Sequence, residues 1–177
     1  MATATGRRTA TPRTAAAAPR TLDDLAGLDA QALIELYRCA RTPTVADLDG
    51  KLKGRMLAVP SLKGRPIVDM LKHFAADGPM PWQGKTFTSH GDRGGEGINR
   101  VFGNRANWYR FRTFVGPSRI GNFDAVQLDY DIEGNPFFVR PVKDEVREVA
   151  PGLWLGIAYL HTAGNDHLGL YFGLSRS

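Results

Sequence analysis

Along the last third of the chain, apolar and polar residues alternate with a period of two, the spacing of a strand with one buried face. In the run 124–132, Val126, Leu128, Tyr130 and Ile132 share one side, with Ala125, Gln127, Asp129 and Asp131 on the other. In the run 167–175, Leu168, Leu170, Phe172 and Leu174 oppose His167, Gly169, Tyr171 and Gly173. Glycines recurring where side chains would crowd suit a sheet that curves and closes. The same reading predicts strands at 48–59, 83–89, 98–102, 108–115, 125–132, 138–149, 153–161 and 168–174. Turn-forming groups such as Gly116-Pro117-Ser118, Glu133-Gly134-Asn135-Pro136, Pro151-Gly152 and Gly164-Asn165 separate them. The run 153–160 is apolar on both faces, which implies cover on both sides.

Two stretches break this period. Between 29 and 41, Ala32, Leu33, Leu36, Tyr37 and Ala40 recur every three or four residues, with Asp29 placed to cap the start and Pro43 beyond the end. That predicts an amphipathic helix. A second, shorter helix is predicted over 66–76, opened by Pro66 and carrying Ile67, Met70, Leu71 and Phe74 on one face. The expected fold is therefore mainly β: a small antiparallel barrel of about eight strands, with one or two helices packed at its end or side. Its expected organisation is a basic tail at 1–20, a helical segment at 21–47 and the barrel at 48–177.

Charge changes this picture little once it is located. The 177-residue chain carries a net charge of +5, but Arg7, Arg8, Arg13 and Arg20 lie in a segment without acids. The other 19 basic residues face 18 acidic ones, so the barrel is nearly neutral. This argues against nucleic-acid binding, which rests on clustered cations. The Ala/Thr/Arg/Pro tail has too little apolar surface to order itself and is the candidate contact for an acidic partner; its composition also fits an organelle transit segment. Cys39 is the lone cysteine, which excludes an internal disulfide and suits a reducing, cytoplasmic setting. No evident histidine accompanies it, so a buried or flanking thiol is expected rather than a nucleophile. No apolar run approaches the roughly 20 residues of a membrane span, so no integral membrane association is expected.

Three segments in order carry a family resemblance: Leu48-Asp49-Gly50-Lys51-Leu52-Lys53-Gly54, Gly64-Arg65-Pro66-Ile67-Val68-Asp69-Met70-Leu71 and Trp82-Gln83-Gly84-Lys85-Thr86-Phe87. They resemble the uncharacterised family named for a Gly-x-Trp-x-Gly (GXWXG) signature, although Leu52 stands where that signature has tryptophan. Leu128-Asp129-Tyr130-Asp131, Asn135-Pro136 and the stretch from Val149 to Gly156 resemble its companion domain of unknown function. The resemblance implies a lipocalin-like, or calycin, barrel and carries no catalytic residue.

The motifs that mimic known chemistry fail on spacing. Gly84-Lys85-Thr86 lacks the glycine of a phosphate loop, since Pro79 stands at its place. Gly116-Pro117-Ser118-Arg119-Ile120-Gly121 misses the hydrolase-elbow spacing by one residue. Gly91, Gly94, Gly95 and Gly97 read as a hairpin loop. His161 and His167 flank a five-residue loop and would oppose one another across a hairpin, but they read as polar surface, with no metal expected. His73 and His90 have no such context.

The charged set Arg110, Arg112, Asp129, Asp131, Arg140, Asp144, Glu145 and Arg147 is the enzymatic candidate if it faces inward, and ordinary cross-strand ion pairing if outward. The outward orientation is expected, because Val126, Leu128, Tyr130 and Ile132 make the better core face. The aromatic supply points instead to a cavity for a small hydrophobic ligand, lined by Trp82, Phe111, Tyr130, Trp154, Tyr159 and Phe172, with Arg112 or His161 setting orientation. The function expected is binding without chemistry and without a cofactor. The alternatives are an isomerase, cyclase or hydrolase using Asp129, Asp131 and Arg112, and an interaction module acting through the tail.

Overall fold

The computed structural model describes residues 18–58, 82–101 and 106–176. Among these residues eight strands form a closed antiparallel meander: β1 (Gly50–Met56), β2 (Trp82–Ser89), β3 (Gly94–Val101), β4 (Ala106–Pro117), β5 (Asp124–Asp129), β6 (Val142–Ala150), β7 (Leu153–Thr162) and β8 (Asn165–Ser175). β8 returns to β1 through the register Lys53–Ser175 to Met56–Phe172, which removes both sheet edges. The mainly β barrel that the alternation predicts is the fold observed. The predicted helix at 66–76, residues 1–17 of the predicted tail and the segment from Gly64 to Leu71 lie outside the described residues.

Among the described residues, two short α-helices precede the barrel. α1 (Leu22–Ala26) opens on a capping box in which the Thr21 hydroxyl accepts from the Asp24 amide and the Asp24 carboxylate accepts from the Thr21 amide. α2 (Ala30–Cys39) is capped by Asp29, whose carboxylate accepts from the Ala32 amide at 2.8 Å. Its free carbonyl end is held by the barrel. The Arg147 guanidinium on β6 donates to the carbonyls of Tyr37, Arg38 and Ala40 and stacks 4.0 Å over the Phe123 ring. Cys39, at the end of α2, is exposed.

The apolar residues separate into two cores. Leu52, Phe87, Phe111, Val126, Val146, Trp154 and Leu174 pack inside the barrel. Leu25, Leu33 and Tyr37 of the helices cover Leu153, Leu155, Ile157, Tyr159 and Tyr171 on its outside. β7 is thus buried on both faces, which explains its unbroken apolar run. At Gly156 a side chain would collide with the Phe172 ring, so this glycine makes room for an aromatic inside the barrel.

The structure departs from the sequence reading at several points. β3 begins at Gly94, so Gly94, Gly95 and Gly97 are strand residues rather than loop: Phe111 lies over Gly97, and the Thr88 carbonyl abuts Gly95. β6 begins at Val142 rather than at 138, because Pro136 opens a turn in which the amides of Val139 and Arg140 donate to its carbonyl. β5 ends at Asp129. Opposite Ala158 and Tyr159 the register shifts, leaving Gly169 as an extra residue and turning Leu168 onto the outer core, away from Leu170 and Phe172. The last hairpin turns on only Ala163 and Gly164, both at positive φ, so His161 faces Asp166 and not His167.

Candidate functional site

Most of the barrel interior is filled and a part of it is open. Around Leu52, Phe87, Trp154 and Leu174 the aromatic and aliphatic side chains interlock. Towards the end of β1 and the start of β2, a cavity of about 100 Å³ remains, walled by Trp82, Tyr109, Val142, Ala158, Leu170 and Phe172. Met56 and Trp108, both substantially exposed, lie on its outer rim. This is room for several waters or one compact organic molecule.

Four polar side chains enter this apolar space from four parts of the barrel: Lys85 on β2, Asn99 on β3, Tyr130 just beyond β5 and Asp144 on β6. Lys85 and Asp144 are each 3% exposed. The Lys85 Nζ donates to Asn99 Oδ1 at 2.8 Å, to the Tyr130 hydroxyl at 2.6 Å and to Asp144 Oδ2 at 3.1 Å. Those three acceptors use the three donors of an ammonium. Tyr130 in turn donates to Asp144 Oδ2 at 3.1 Å and accepts from Asn99 Nδ2 at 3.1 Å.

The Asn99 amide can sit only one way round. Its Oδ1 receives the Trp82 indole N–H at 3.1 Å, and an indole only donates; its Nδ2 faces the Tyr109 carbonyl at 3.3 Å, which only accepts. Four rings surround the ammonium: Trp82 at 5.5 Å, Phe111 at 5.3 Å, Tyr130 at 5.3 Å and Phe172 at 5.1 Å from Nζ to ring centre. Burial pulls the Lys85 amine below its ordinary range, and the Asp144 charge opposes this. Burial, followed by the Asp144 charge, pushes the Tyr130 phenol well above its ordinary range, so it stays protonated and donates.

Two bulges aim the lining residues. Between β2 and β3 Gln83 is the extra residue, followed by Gly84 at φ +127, where a side chain would strike the Leu52 carbonyl. This kink lays Trp82 against Gly54 and leaves Lys85 and Phe87 alternating inward. Between β3 and β4 the extra residue is Tyr109 at φ +58, and the bulge lets the consecutive Trp108 and Tyr109 both reach the cavity.

Of the residues predicted to bind a ligand, Trp82, Tyr130 and Phe172 line the cavity. Phe111 packs against Tyr130, at 5.4 Å between ring centres, and Trp154 lies in the filled part of the interior. Tyr159 points to the outer core, where its hydroxyl donates to Glu145 at 3.2 Å. His161 is exposed beside Asp166, 2.7 Å away. Arg112, Asp129 and Asp131 do come together, but in solvent-facing ion pairs: Arg112 with Asp129 at 3.6 Å, Lys143 with Asp129, and Arg140 with Asp131 at 2.6 Å. Lys85, Asn99 and Asp144 escape a reading that assigns polar strand residues to the outside. The signal was present in the alternation, since Lys85 shares a face with Phe87, and Asp144 with Val142 and Val146.

No family model matches the chain, and no curated protein does. A solved structure, that of a protein from Thermomonospora curvata, is similar in fold with a TM-score of 0.52 at 19% identity, covering 85% of this chain and 88% of that one. The class defined by fold and interior is a small closed eight-stranded antiparallel β-barrel. Among the described residues, no helix is long and apolar enough to cross a membrane.

Proposed function

We propose that this protein is a lipocalin-like binding protein that holds one compact, largely apolar molecule in the open part of its barrel. The observation that carries the reading is the cavity itself: apolar walls converging on the closed Lys85–Asn99–Tyr130–Asp144 cluster. A few fixed polar groups in an apolar lumen are the usual make-up of a small-molecule site, with burial supplying affinity and the polar groups setting orientation. Trp82, Tyr130 and Phe172 form the contact surface, with Phe111 supporting the ammonium from below. The reading calls for no cofactor, and the lone Cys39 suits a reducing cytoplasm. The segments that resemble the Gly-x-Trp-x-Gly family support a distant relationship to it; in its Trp82–Phe87 stretch, Trp82 and Lys85 are both cavity residues.

Native mass spectrometry of the purified chain, with extraction of any retained compound, tests the proposal together with a cavity-filling variant. Ala158→Phe puts a ring into the lumen, so apolar ligands that quench tryptophan fluorescence in the wild type should bind at least about tenfold more weakly. Unchanged affinity in a folded Ala158→Phe protein would place the ligand elsewhere and sink the reading.

A further inference from the structure

Phe137 is 85% exposed, the most of any large apolar residue among those described, yet the loop that carries it is pinned. Asn135 Nδ2 donates to the carbonyls of Arg110 at 2.7 Å and Tyr130 at 2.8 Å, and the Val139 amide donates to the Pro136 carbonyl at 2.9 Å. The Val139 side chain is buried in the barrel core and lines the lumen. Phe137 is thus held outward by anchored neighbours. Its ring lies 5.6 Å from that of Phe138, Phe138 lies 6.5 Å from Tyr109, and Tyr109 lies 5.9 Å from Trp108, centre to centre. Trp108 and Tyr109 line the lumen, and Met56, 43% exposed, stands on its rim. The apolar lining of the cavity therefore continues over the mouth of the barrel onto an outer, mainly aromatic rim.

We infer that this rim, formed by Met56, Trp108, Phe137 and Phe138, docks on a neutral lipid surface and seats the mouth of the lumen against it. Area argues for lipid over protein. With Trp108 and Phe138 each 37% exposed, the four side chains offer roughly 400 Å². That is about half of the roughly 800 Å² per partner in a stable protein interface, whereas a few inserted side chains suffice at a lipid boundary. Chemistry agrees, because an indole joins an apolar ring to a polar tip and suits the headgroup level. Charge selects a neutral surface. The charged residues within two positions of the rim are Arg55, Arg110 and Arg140, paired respectively with Asp23, with Glu96 at 3.4 Å and with Asp131 at 2.6 Å. No cation is left beside the rim to draw an anionic headgroup. Docking goes beyond the binding reading; only its consequence, a path between bilayer and lumen that spares an apolar ligand the water, rests on the lumen being the binding site.

The test is flotation of the full chain with phosphatidylcholine vesicles. Wild-type protein should float with them in low and high salt alike. Phe137→Ser should lower the partition coefficient at least about tenfold, and Phe137→Leu should keep it within about threefold. Because Phe137 lies mostly in solvent, both variants should keep the wild-type thermal midpoint. Partitioning that appears only when anionic lipid is added, or that Phe137→Ser leaves unchanged, overturns the inference. A wild-type dimer in ultracentrifugation that Phe137→Ser abolishes, without vesicle binding, assigns the rim to a second copy and also overturns it. A chain that floats but takes up no apolar ligand keeps the docking and sinks the lumen reading; ligand uptake without flotation does the reverse.

Discussion

Lys85 and Asp144 are two charges enclosed by rings, and their energetics follow from that enclosure. Removing one partner leaves the other without compensation, whereas removing both replaces an ion pair by packing. Lys85→Met should therefore cost about 3 kcal/mol or more in denaturant unfolding, and adding Asp144→Leu should recover most of it. A double variant as unstable as the single one would show that hydrogen bonds to Asn99 and Tyr130 matter more than charge. The pair also sets a pH response. Burial holds the Lys85 amine below its ordinary 10.5. Between that lowered folded value and 10.5, the unfolded chain binds a proton that the folded chain has released, so stability rises with pH across the window. Measured against the double variant, in which every other titrating group is retained, the wild type should gain stability as pH rises towards 10.5. A falling difference would mean that the fold favours the ammonium more than water does. Asp144 stood among the charged candidates but was expected to face outward, and Lys85 was not singled out as a site, because a charged residue on an apolar strand face looks like a surface charge until the sheet has closed around it.

Strands and their register were more legible than the bulges that adjust them. Alternation located the eight strands because closure leaves one face of each inside and the period of two survives. It missed that Gly94, Gly95 and Gly97 belong to β3, since a glycine pressed under an aromatic ring and a glycine in a loop look alike in one dimension. It also placed Leu168 with Leu170, and the extra residue at Gly169 parts them. The bulge at Gln83 matters most, because it sets the inward direction of Trp82 and Lys85. Gly84 follows it at φ +127, with backbone of β1 on the side a Cβ would occupy. Gly84→Ala should thus lower stability by about 3 kcal/mol or more, through strain and collision together, read as a drop in the thermal midpoint. It should also weaken ligand binding, since shifting this bulge moves Lys85 relative to Asp144. A stable Gly84→Ala protein with unaltered binding would show that the bulge does not fix the site.

At the scale of the whole molecule, β6 to β8 carry load on both sides: the cavity and filled core within, the helices without. The sequence disclosed this layering through the doubly apolar run of β7, and the predicted helix at 29–41 supplied the cover, observed as α2. It did not disclose how the two layers are fastened. Arg147, on the outer face of β6, is almost fully buried between the end of α2 and Phe123, while its neighbour in sequence Val146 faces the interior core. A guanidinium that satisfies three helix carbonyls is a capping group supplied by another element, and its loss strands those carbonyls in an apolar setting. Arg147→Ala should then cost about 2–3 kcal/mol in guanidinium unfolding. Its effect should stop at the barrel wall, because the affected groups share no partner with the Lys85–Asp144 cluster and effects at separated sites add independently. The variant should bind compact apolar ligands as the wild type does at temperatures where it remains folded. A parallel loss of affinity would show that the helical layer holds the lumen in shape, and would make the outer face part of the binding machinery.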